Sequence, residues 1–346
     1  MANLLADDLD RVLMQTAGLW DDLRGARLFM TGATGFFGSW LLETLLHADT
    51  RLKLGVSVVA LTRDAAAFSS RSPHLAQHAA VTLHEGDVRT FEFPTGAFSH
   101  VIHAAADPSP IASRADRERM FDTIVDGTRR TLACARAAGA RRFLFTSSGA
   151  VYGAQPAQVT HISEDYAGAP SSTDPAQAYG QAKRAAEMLC AIHAGDGLQP
   201  TIARCFAFIG PYFPAGGHAA ANFIRDALRG GPIEVAGDGT PYRSYLYGSD
   251  LAAWLWTILI RGAALRAYNV GSANALTIRD LAEAIARAAG PDVEVHVARP
   301  ATEGAAPSRY VPAVDRVDRE LGLQQLVPLD QAIRQTLGWH RAGVAA

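Results

Sequence analysis

The sequence has few cysteines, no long apolar run and almost no net charge. Its three cysteines, Cys134, Cys190 and Cys205, exclude a disulfide framework and suit a reducing compartment. The apolar run Trp254–Leu259 is far too short to cross a bilayer, so no membrane partner is expected. Basic and acidic residues number 32 and 34, which gives a net charge of -2 and no reason to expect a nucleic-acid partner.

The remaining composition is that of a globular protein with more than one compact domain. Hydrophobic residues make up 49% and charged residues 19% of the 346 positions, a length that predicts one large domain with a smaller companion. The first residues include Asp7, Asp8 and Asp10 instead of a basic segment and an apolar core, so a cytoplasmic protein is expected. His74 and His78 are four apart, but no third ligand lies near them in sequence, and no metal site is expected.

A glycine-rich turn near the start of the chain separates a strand pattern from a helix pattern. Arg27–Thr31 is a short apolar run with the character of a buried strand, and Ser39–Leu46 has helical spacing. Between them, the glycines of Gly32–Gly38 let the backbone approach a ligand closely, while the helix start offers N–H groups and the positive end of a dipole. Strand, glycine turn and helix in this order predict a dinucleotide-binding site.

Strand and helix patterns alternate through the first two thirds of the chain. The further strand candidates are Val56–Leu61, Val101–Ala106, Arg142–Thr146 and Thr201–Phe208, and Val81–Val88 is predicted to be a strand followed by a turn. This alternation predicts an α/β fold with a Rossmann-type doubly wound parallel sheet, and ligands at the carboxyl ends of its strands. Residues 1–204 are the predicted NAD(P)-binding domain, to which a segment near 240–275 returns. Residues 205–346 are predicted to form mainly a smaller C-terminal α/β substrate-binding lobe.

The end of the second predicted strand bears on the choice between NAD and NADP. An acidic residue at this place holds the ribose hydroxyls of NAD, whereas an arginine accommodates the 2′-phosphate of NADP. The sequence has Thr62, then Arg63, then Asp64. Asp64 remains a candidate ribose ligand, and Arg63 is either a phosphate ligand or a solvated strand end. The sequence leaves the two cofactors open.

Tyr179 and Lys183 form a candidate acid/base pair. They are four residues apart, so a helix places both side chains on one face. A free phenol has a pKa of about 10, and a nearby ammonium group is expected to lower it toward neutrality. Such a pair exchanges a proton with a sugar hydroxyl while hydride leaves or reaches the same carbon. Ser148 follows a predicted strand, where a serine either contacts a ligand or caps a turn.

Several motifs occur in a characteristic order between about residue 25 and residue 340. They are Thr31–Gly38, Gly86–Val88, His103–Ala105, Thr146–Ser148 running into Val151–Gly153, Tyr179 with Lys183, Gly210–Pro211, Gly237–Gly239 with Arg243 and Asp250, and Arg309–Pro312 ahead of Glu320–Gly322. In these motifs the sequence resembles the extended short-chain dehydrogenase/reductase family. The similarity is to its nucleotide-sugar epimerase/dehydratase branch, which contains the UDP-galactose 4-epimerase-like enzymes.

The resemblance implies a role for each matching position. The cofactor-binding residues it implies, with Arg63 added from the strand end, are Gly32, Gly35, Phe36, Phe37, Gly38, Arg63, Asp87, Val88, Ala104, Ala105, Tyr179 and Lys183. Ser148 would hydrogen-bond the reacting hydroxyl or ketone, Tyr179 would act as acid and base, and Lys183 would bind the nicotinamide ribose. Arg243 would grip the substrate diphosphate, with Asn222 and Arg309 as further substrate contacts. The family also implies a homodimer formed through two long helices.

Departures from the family pattern narrow the choice among the family's reactions. Its 4,6-dehydratases place Asp-Glu directly after the Ser/Thr, and its UDP-glucuronate decarboxylases keep a Glu two residues after it. Here Gly149 and Ala150 occupy those positions, and neither side chain moves a proton, so both reactions are disfavoured. Thr123 also replaces an asparagine that many relatives have ahead of Gly127–Thr128, which weakens the expected local support of the cofactor site.

The residues that remain suffice for chemistry between a carbinol and a ketone. The sequence therefore predicts a nucleotide-sugar epimerase that acts through a transient keto-sugar, by reversible hydride transfer with bound NAD. An NAD(P)H-dependent keto-sugar reductase is the main alternative, followed by a dehydratase with altered acid/base residues. A non-catalytic cofactor-binding regulator is the alternative outside enzymes, although a regulator need not retain Ser148, Tyr179 and Lys183 together.

Overall fold

A computed structural model describes residues 4–106, 113–213, 218–302 and 304–343 of the chain. In chain order, the strands of this part are β1 (Arg27–Thr31), β2 (Ser57–Thr62), β3 (Val81–Glu85), β4 (His100–His103), β5 (Arg142–Ser148), β6 (Gln199–Cys205), β7 (Phe208–Ile209), β8 (Ile233–Val235), β9 (Tyr242–Arg243), β10 (Leu246–Tyr247), β11 (Ala267–Val270), β12 (Leu276–Thr277), β13 (Val295–Val297) and β14 (Arg309–Tyr310).

The α-helices are α1 (Ala6–Gln15), α2 (Phe36–Leu52), α3 (Ala65–Arg71), α4 (Pro73–Ala76), α5 (Arg114–Ala137), α6 (Ala178–His193), α7 (Ala219–Leu228), α8 (Gly248–Arg261), α9 (Ile278–Ala289), α10 (Asp315–Leu321) and α11 (Leu329–Arg341). Short 3₁₀ helices cover Trp20–Leu23, Gly149–Tyr152 and Pro175–Gln177. Across the described ranges, no helix is long and apolar enough to cross a membrane.

A seven-stranded sheet in the order β11-β6-β5-β4-β1-β2-β3 confirms the predicted Rossmann-type fold. The pairings of β1 with β2 and β4, of β2 with β3, and of β5 with β4 and β6 are all parallel. From β1 the chain moves outward to β3 and then returns to β4 on the other side of β1. Strand order therefore reverses between β1 and β4, the point at which sheets of this kind bind ligands beyond their carboxyl ends.

The strands of this sheet are mainly apolar because helices pack over them. β4 is buried along its whole length, and β1 and β5 are buried after their first residue. Phe29, Phe143 and Phe145 share one apolar cluster with residues of α5 and α6. Continuous burial of this kind is what distinguishes parallel strands from the alternating pattern of half-exposed ones.

Two predicted strands were too long, whereas β3 ends at Glu85 within the predicted strand and turn of Val81–Val88. β4 stops at His103, three residues before the predicted end at Ala106. β6 stops at Cys205, and Phe208–Ile209 forms a separate strand that pairs with β10. In both places apolar residues continue past the strand end, as Ala104–Ala106 and Phe206–Phe208.

The chain divides into two compact units. The first comprises Met1–Gly153, Ala167–Cys205 and Ala252–Tyr268, and the second comprises Ala154–Tyr166, Phe206–Leu251 and Asn269–Ala346. Within the second unit, β9 lies between β12 and β14, and α9 begins with a capping box formed by Thr277 and Asp280. The Asp250 carboxylate accepts the backbone N–H groups of Leu326 and Val327, at 3.2 and 3.0 Å.

Candidate active site

The glycine turn between β1 and α2 packs directly against the turn after β4. Gly32 has a φ of +71°, and a Cβ built on it would lie 2.4 Å from the carbonyl atoms of Ala104. A Cβ on Gly38 would lie 2.3 Å from the Ala33 backbone, so only glycine fits at either place. Gly35 is the N-cap of α2 and contributes no capping side chain. A tight turn at a helix start without a side-chain cap fits the diphosphate of a dinucleotide.

A buried histidine that sequence reasoning gave no role holds the second of these turns. His103 is 1% exposed, and its Nδ1 and Nε2 lie 2.6 Å from Thr31 Oγ1 and 3.0 Å from Thr128 Oγ1. Thr128 donates its own hydroxyl proton to the Ile124 carbonyl, so it accepts from Nε2–H, and Nδ1 then accepts from Thr31. Thr31 in turn accepts the N–H of Ala105 at 3.3 Å. Burial lowers the pKa of His103 to about 3, which keeps the ring neutral.

The carboxylates of Asp64 and Asp87, which follow β2 and β3, accept hydrogen bonds from neighbouring groups of the protein. Asp64, a candidate ribose ligand, accepts the Ala67 N–H at 2.8 Å and caps α3. Asp87 receives two hydrogen bonds from the Arg89 guanidinium at 2.9 and 2.8 Å, which together lower the pKa of the carboxyl. Arg63 is exposed, and Val88 is buried. The capping bond explains why Asp64 is a weaker candidate for the ribose than the sequence suggested.

Ser148, Tyr179 and Lys183 are brought together by β5 and α6. Ser148 is the last residue of β5, and its side chain hydrogen-bonds to that of Tyr179. Lys183 follows Tyr179 by one turn of α6 and donates from Nζ to the Thr146 carbonyl at 2.7 Å. Its Nζ lies 5.9 Å from the centre of the Tyr179 ring and 4.9 Å from that of Phe145. The three predicted side chains thus form one cluster at the end of a central strand.

The protonation states of this cluster differ from those expected from spacing. Burial raises the pKa of Tyr179, and the hydrogen bond from Ser148 offsets only part of this rise. Lys183 is 2% exposed, and burial lowers its pKa to about 8. The Tyr179 pKa is thus shifted in the direction opposite to the one expected from the spacing, because desolvation of the phenol is the largest contribution.

The two positions after Ser148 carry no group that moves a proton. Gly149 and Ala150 begin a 3₁₀ helix, and the Ser148 hydroxyl accepts the Ala150 N–H at 3.2 Å. The Ala150 carbonyl lies so close to α6 that a Cβ on Gly180 would approach it to 2.6 Å. This contact fixes the backbone after Ser148 against the helix that carries Tyr179.

The carboxylate nearest to this cluster along α6, that of Glu187, is committed to a largely buried ion pair. Its oxygens accept from Arg204 at 3.0 and 2.7 Å and from the Ser147 hydroxyl at 2.6 Å. Arg204 also donates to the Tyr152 hydroxyl at 3.1 Å. Burial by itself would lower the pKa of Arg204, but the bonds to Glu187 outweigh it and raise that pKa. The pair ties β6 to α6, and no sequence motif pointed to it.

The three candidate substrate residues lie in the second compact unit. Arg243 on β9 and Arg309 on β14 belong to neighbouring strands, whose register pairs Arg309 with Tyr242. The Arg309 guanidinium lies 4.1 Å from the centre of the Tyr242 ring, and Arg243 donates to the Tyr242 carbonyl at 2.7 Å. Asn222 lies on α7, where its side-chain oxygen accepts from Arg225 at 3.0 Å. Arg243 pairs in register with Tyr310, so the two arginines lie on adjacent strands but on opposite faces of the small sheet, and Asn222 lies on a different element.

His74 and His78 do not share a partner. His74 Nε2 lies 2.7 Å from a Glu43 oxygen, and His78 Nδ1 accepts the Ala80 N–H at 3.2 Å. Within the ranges that the structure describes, no group of three His, Cys, Asp or Glu residues is arranged to hold a metal ion. Thr123 donates its hydroxyl to the Arg119 carbonyl at 2.7 Å and so supports α5 itself.

The buried pair of Glu187 and Arg204 is expected to matter more for stability than an exposed pair of the same length. Arg204→Met leaves the Glu187 carboxylate desolvated, so the free energy of unfolding should fall by about 3 kcal/mol. The matched control is Arg136→Met, because Arg136 pairs with the exposed Asp196 at 2.7 Å, a contact that should contribute less than about 1 kcal/mol. Urea unfolding of both variants measures the two losses in the free energy of unfolding. Equal losses would contradict the larger contribution of the buried pair.

Lys183 should make stability depend on pH above neutrality. Between its folded pKa of about 8 and its ordinary value of 10.5, the unfolded chain holds a proton that the folded chain has lost. Stability therefore rises with pH in this window, by at most about 1.4 kcal/mol per unit. Urea unfolding at pH 7, 8.5 and 10 should show wild type gaining relative to Lys183→Met. A difference between the two proteins that stays constant with pH would contradict the lowered pKa.

Comparison with known proteins identifies relatives that cover most of this chain. UDP-glucuronic acid decarboxylase 2 of Arabidopsis thaliana is 30% identical over 313 residues, which cover 90% of this chain and 67% of that protein. The dTDP-glucose 4,6-dehydratase of Streptomyces griseus is 29% identical over 327 residues, covering 90% of this chain and 93% of the relative.

Solved structures of similar proteins have the same fold. The dTDP-glucose 4,6-dehydratase of Streptomyces venezuelae, solved with NAD bound, superposes with a TM-score of 0.75 at 25% identity, covering 91% of this chain and 97% of that one. The UDP-glucose 4-epimerase of Thermotoga maritima, solved with UDP-glucose, has a TM-score of 0.75 at 23% identity and covers 92% and 99%. The model of the NAD dependent epimerase/dehydratase family matches residues 28–271. With this match added to the glycine turn and the Ser148–Tyr179–Lys183 cluster, the chain belongs to the NAD dependent epimerase/dehydratase family of extended short-chain dehydrogenases/reductases.

Proposed function

We propose that this chain is a nucleotide-sugar epimerase that inverts a carbinol carbon through a transient keto-sugar. The observation that carries the proposal is the cluster of Ser148, Tyr179 and Lys183, followed by Gly149 and Ala150. Elimination of water and loss of a carboxylate both need further proton transfers beside the carbinol. The chain offers no acid or base at the two positions where its dehydratase and decarboxylase relatives are expected to have one.

The cofactor is held, in this proposal, by the glycine turn and its neighbours. Gly32, Gly35 and Gly38, with Phe36 and Phe37 at the start of α2, take the diphosphate. Ala104 and Ala105, fixed by His103, line the adjacent turn, and Asp87 and Val88 border the adenosine. A bound nicotinamide dinucleotide supplies reversible hydride transfer with the reacting carbon.

The proton is handled by the chain itself. Tyr179 takes the proton of the sugar hydroxyl as its phenolate and returns it as the neutral phenol. Ser148 donates a hydrogen bond to the same oxygen, which stabilises the charge that develops there. Lys183 provides a cation beside the phenol and so favours the phenolate when the proton must be removed. Because inversion returns both the hydride and the proton to the sugar, the reaction needs no net oxidant or reductant.

Recognition of the nucleotide diphosphate is assigned to Arg243 of the second unit, since a guanidinium group binds phosphate oxygens with two parallel hydrogen bonds. Arg309 lies on the adjacent strand but on the opposite face, over the Tyr242 ring, and is therefore a weaker candidate for the same diphosphate. Asn222 is retained as a weaker candidate because its side-chain oxygen already accepts from Arg225. Analysis of the products formed from a panel of nucleotide sugars identifies the sugar that the chain converts.

A keto-sugar reductase is the second candidate, and two observations favour it. The raised pKa of Tyr179 keeps the phenol protonated at neutral pH, which is the form that donates a proton to a ketone. Arg63 is also exposed at the strand end where it can accept the additional phosphate of NADPH. A reductase would consume one reduced cofactor for each alcohol formed.

The two functions are separated by incubating the chain with UDP-, dTDP-, GDP- and CDP-sugars and either NAD or NADPH. For an epimerase, product stereochemistry followed by NMR should show inversion without net change in nicotinamide absorbance. Tyr179→Phe should lower kcat by about 10²- to 10⁴-fold, and Ser148→Ala by less, because it removes only a hydrogen bond. Full turnover by Tyr179→Phe would exclude this mechanism, and strict consumption of NADPH would replace the epimerase by the reductase.

We further propose that the chain forms a homodimer through α5 and α6. Helix α6 exposes two large apolar side chains one turn apart, Met188 at 61% and Ile192 at 66%. Exposed apolar residues that form a stripe on a helix are typical of an interface. Sedimentation should give a dimer mass for the wild type and a monomer mass for Met188→Lys/Ile192→Lys, whereas a change of the equally exposed Met14 (71%) to Lys should leave the dimer intact. A monomeric wild type would exclude the dimer.

A further inference from the structure

Helix α6 holds the end of β5 through side chains that are spaced one turn apart. Lys183 Nζ donates to the Thr146 carbonyl at 2.7 Å. One turn later, the Glu187 carboxylate accepts the hydroxyl of Ser147, the next residue of the strand, at 2.6 Å. Residues four apart lie close together on a helix surface, so both contacts continue the row that begins with Tyr179. The backbone directly before the last residue of β5 is therefore fixed to the helix that carries the phenol.

Arg204 on β6 holds the segment that follows Ser148. Its Nη1 donates to the Tyr152 hydroxyl at 3.1 Å, and its guanidinium lies 4.9 Å from the centre of the Tyr152 ring. Tyr152 is buried and ends the 3₁₀ helix that begins directly after Ser148. Arg204 also pairs in register with Ser147. One arginine thus lies beside the residue that precedes Ser148 and bonds to a residue that follows it.

Glu187 and Arg204 fix each other's orientation. Arg204 Nε and Nη2 donate to the two carboxylate oxygens at 3.0 and 2.7 Å, a bidentate geometry that sets the planes of both groups. The carboxylate also acts on the neighbouring lysine of the cluster. Burial lowers the pKa of Lys183 to about 8, and the charge of Glu187 offsets part of this fall. The ion pair is therefore connected to both sides of Ser148 and to the cation beside the phenol.

We propose that Glu187 and Arg204 are positioning residues, which keep Ser148 within hydrogen-bonding distance of Tyr179 by fixing the chain on both sides of the serine. Hydrogen bonds weaken steeply beyond about 3.5 Å, so a backbone shift of about 1 Å beside Ser148 would break its bond to the phenol. The inference deepens the proposed function, because it rests on Ser148 and Tyr179 acting on the same substrate oxygen.

NMR of protein labelled with ¹³Cζ-tyrosine tests this role without substrate or cofactor, because the resonance of a phenol carbon changes when the hydroxyl loses a hydrogen bond. Tyr179→Phe assigns the signal, and Ser148→Ala gives the shift expected when the bond is absent. Ser147→Ala and Tyr152→Phe each remove one hydroxyl that the ion pair holds, and both should move the Tyr179 signal in the same direction as Ser148→Ala. Tyr268→Phe, the matched control, removes another buried tyrosine hydroxyl and should leave the signal in place.

Turnover of a nucleotide sugar gives a second readout. Arg204→Lys keeps the positive charge but not the planar fork that reaches both Glu187 and Tyr152, so kcat should fall by about tenfold to 10²-fold with little change in KM. Combined with Ser148→Ala, the same change should cause no further loss, because both substitutions act on one hydrogen bond. A role in stability alone would make the two losses multiply.

The outcomes separate this inference from the proposed function. The positioning role is overturned if Ser147→Ala and Tyr152→Phe leave the Tyr179 signal in place, if Ser148→Ala itself does not move it, or if the losses of Arg204→Lys and Ser148→Ala multiply. The proposed epimerase would survive each of these results. If no nucleotide sugar is converted, the proposed function fails, and the Tyr179 resonance still decides the positioning role.

Discussion

The close approach between the glycine turn and the turn after β4 is the constraint on which the nucleotide site depends. A Cβ built on Gly32 would lie 2.4 Å from the Ala104 carbonyl atoms. Any side chain at this position would therefore push β1 and β4 apart. The register that pairs Thr31 with His103 continues this contact into the sheet. The neutral His103 ring then joins both strands to α5 through Thr31 and Thr128. The proposed cofactor site and the pairing of β1 with β4 therefore share the same close contact.

The protonation states of the ionisable groups in the site follow from their burial. A buried lysine with a lowered pKa, a tyrosine with a raised one and a histidine kept neutral all result from the loss of water around ionisable groups. Glu187 and Arg204 form a largely buried ion pair in the same unit, in which each side chain offsets the loss of water around the other. A phenol in this environment gives up its proton only when an opposite charge or a strong donor is supplied beside it.

Local sequence signals predicted most of the fold and the cluster at its centre. The glycine turn, the alternation of strands and helices, and the spacing of Tyr179 and Lys183 each depend on residues within a few positions of one another. The family order of motifs then connected Ser148 to them. These features could be predicted because short-range geometry determines them, as it does the helix that carries Tyr179.

Features that join distant segments could not be predicted in the same way. Burial, and with it the pKa of Tyr179, depends on what packs over the helix and not on the residue four positions away. The ion pair of Glu187 and Arg204 joins α6 to β6, and no sequence motif marks it. Asp64 caps α3, a role that depends on the residue at which this helix begins. The ends of β4 and β6 were missed because apolar residues continue past the last residue of each strand.

The two compact units are each assembled from three separate stretches of chain, which alternate along the sequence and therefore meet at five junctions. Neither unit corresponds to a continuous polypeptide, so no single cut would release one of them as an intact piece. Most contacts in the chain join residues far apart in sequence, a topology that slows folding. A C-terminal truncation at any of the first four junctions would remove part of both units.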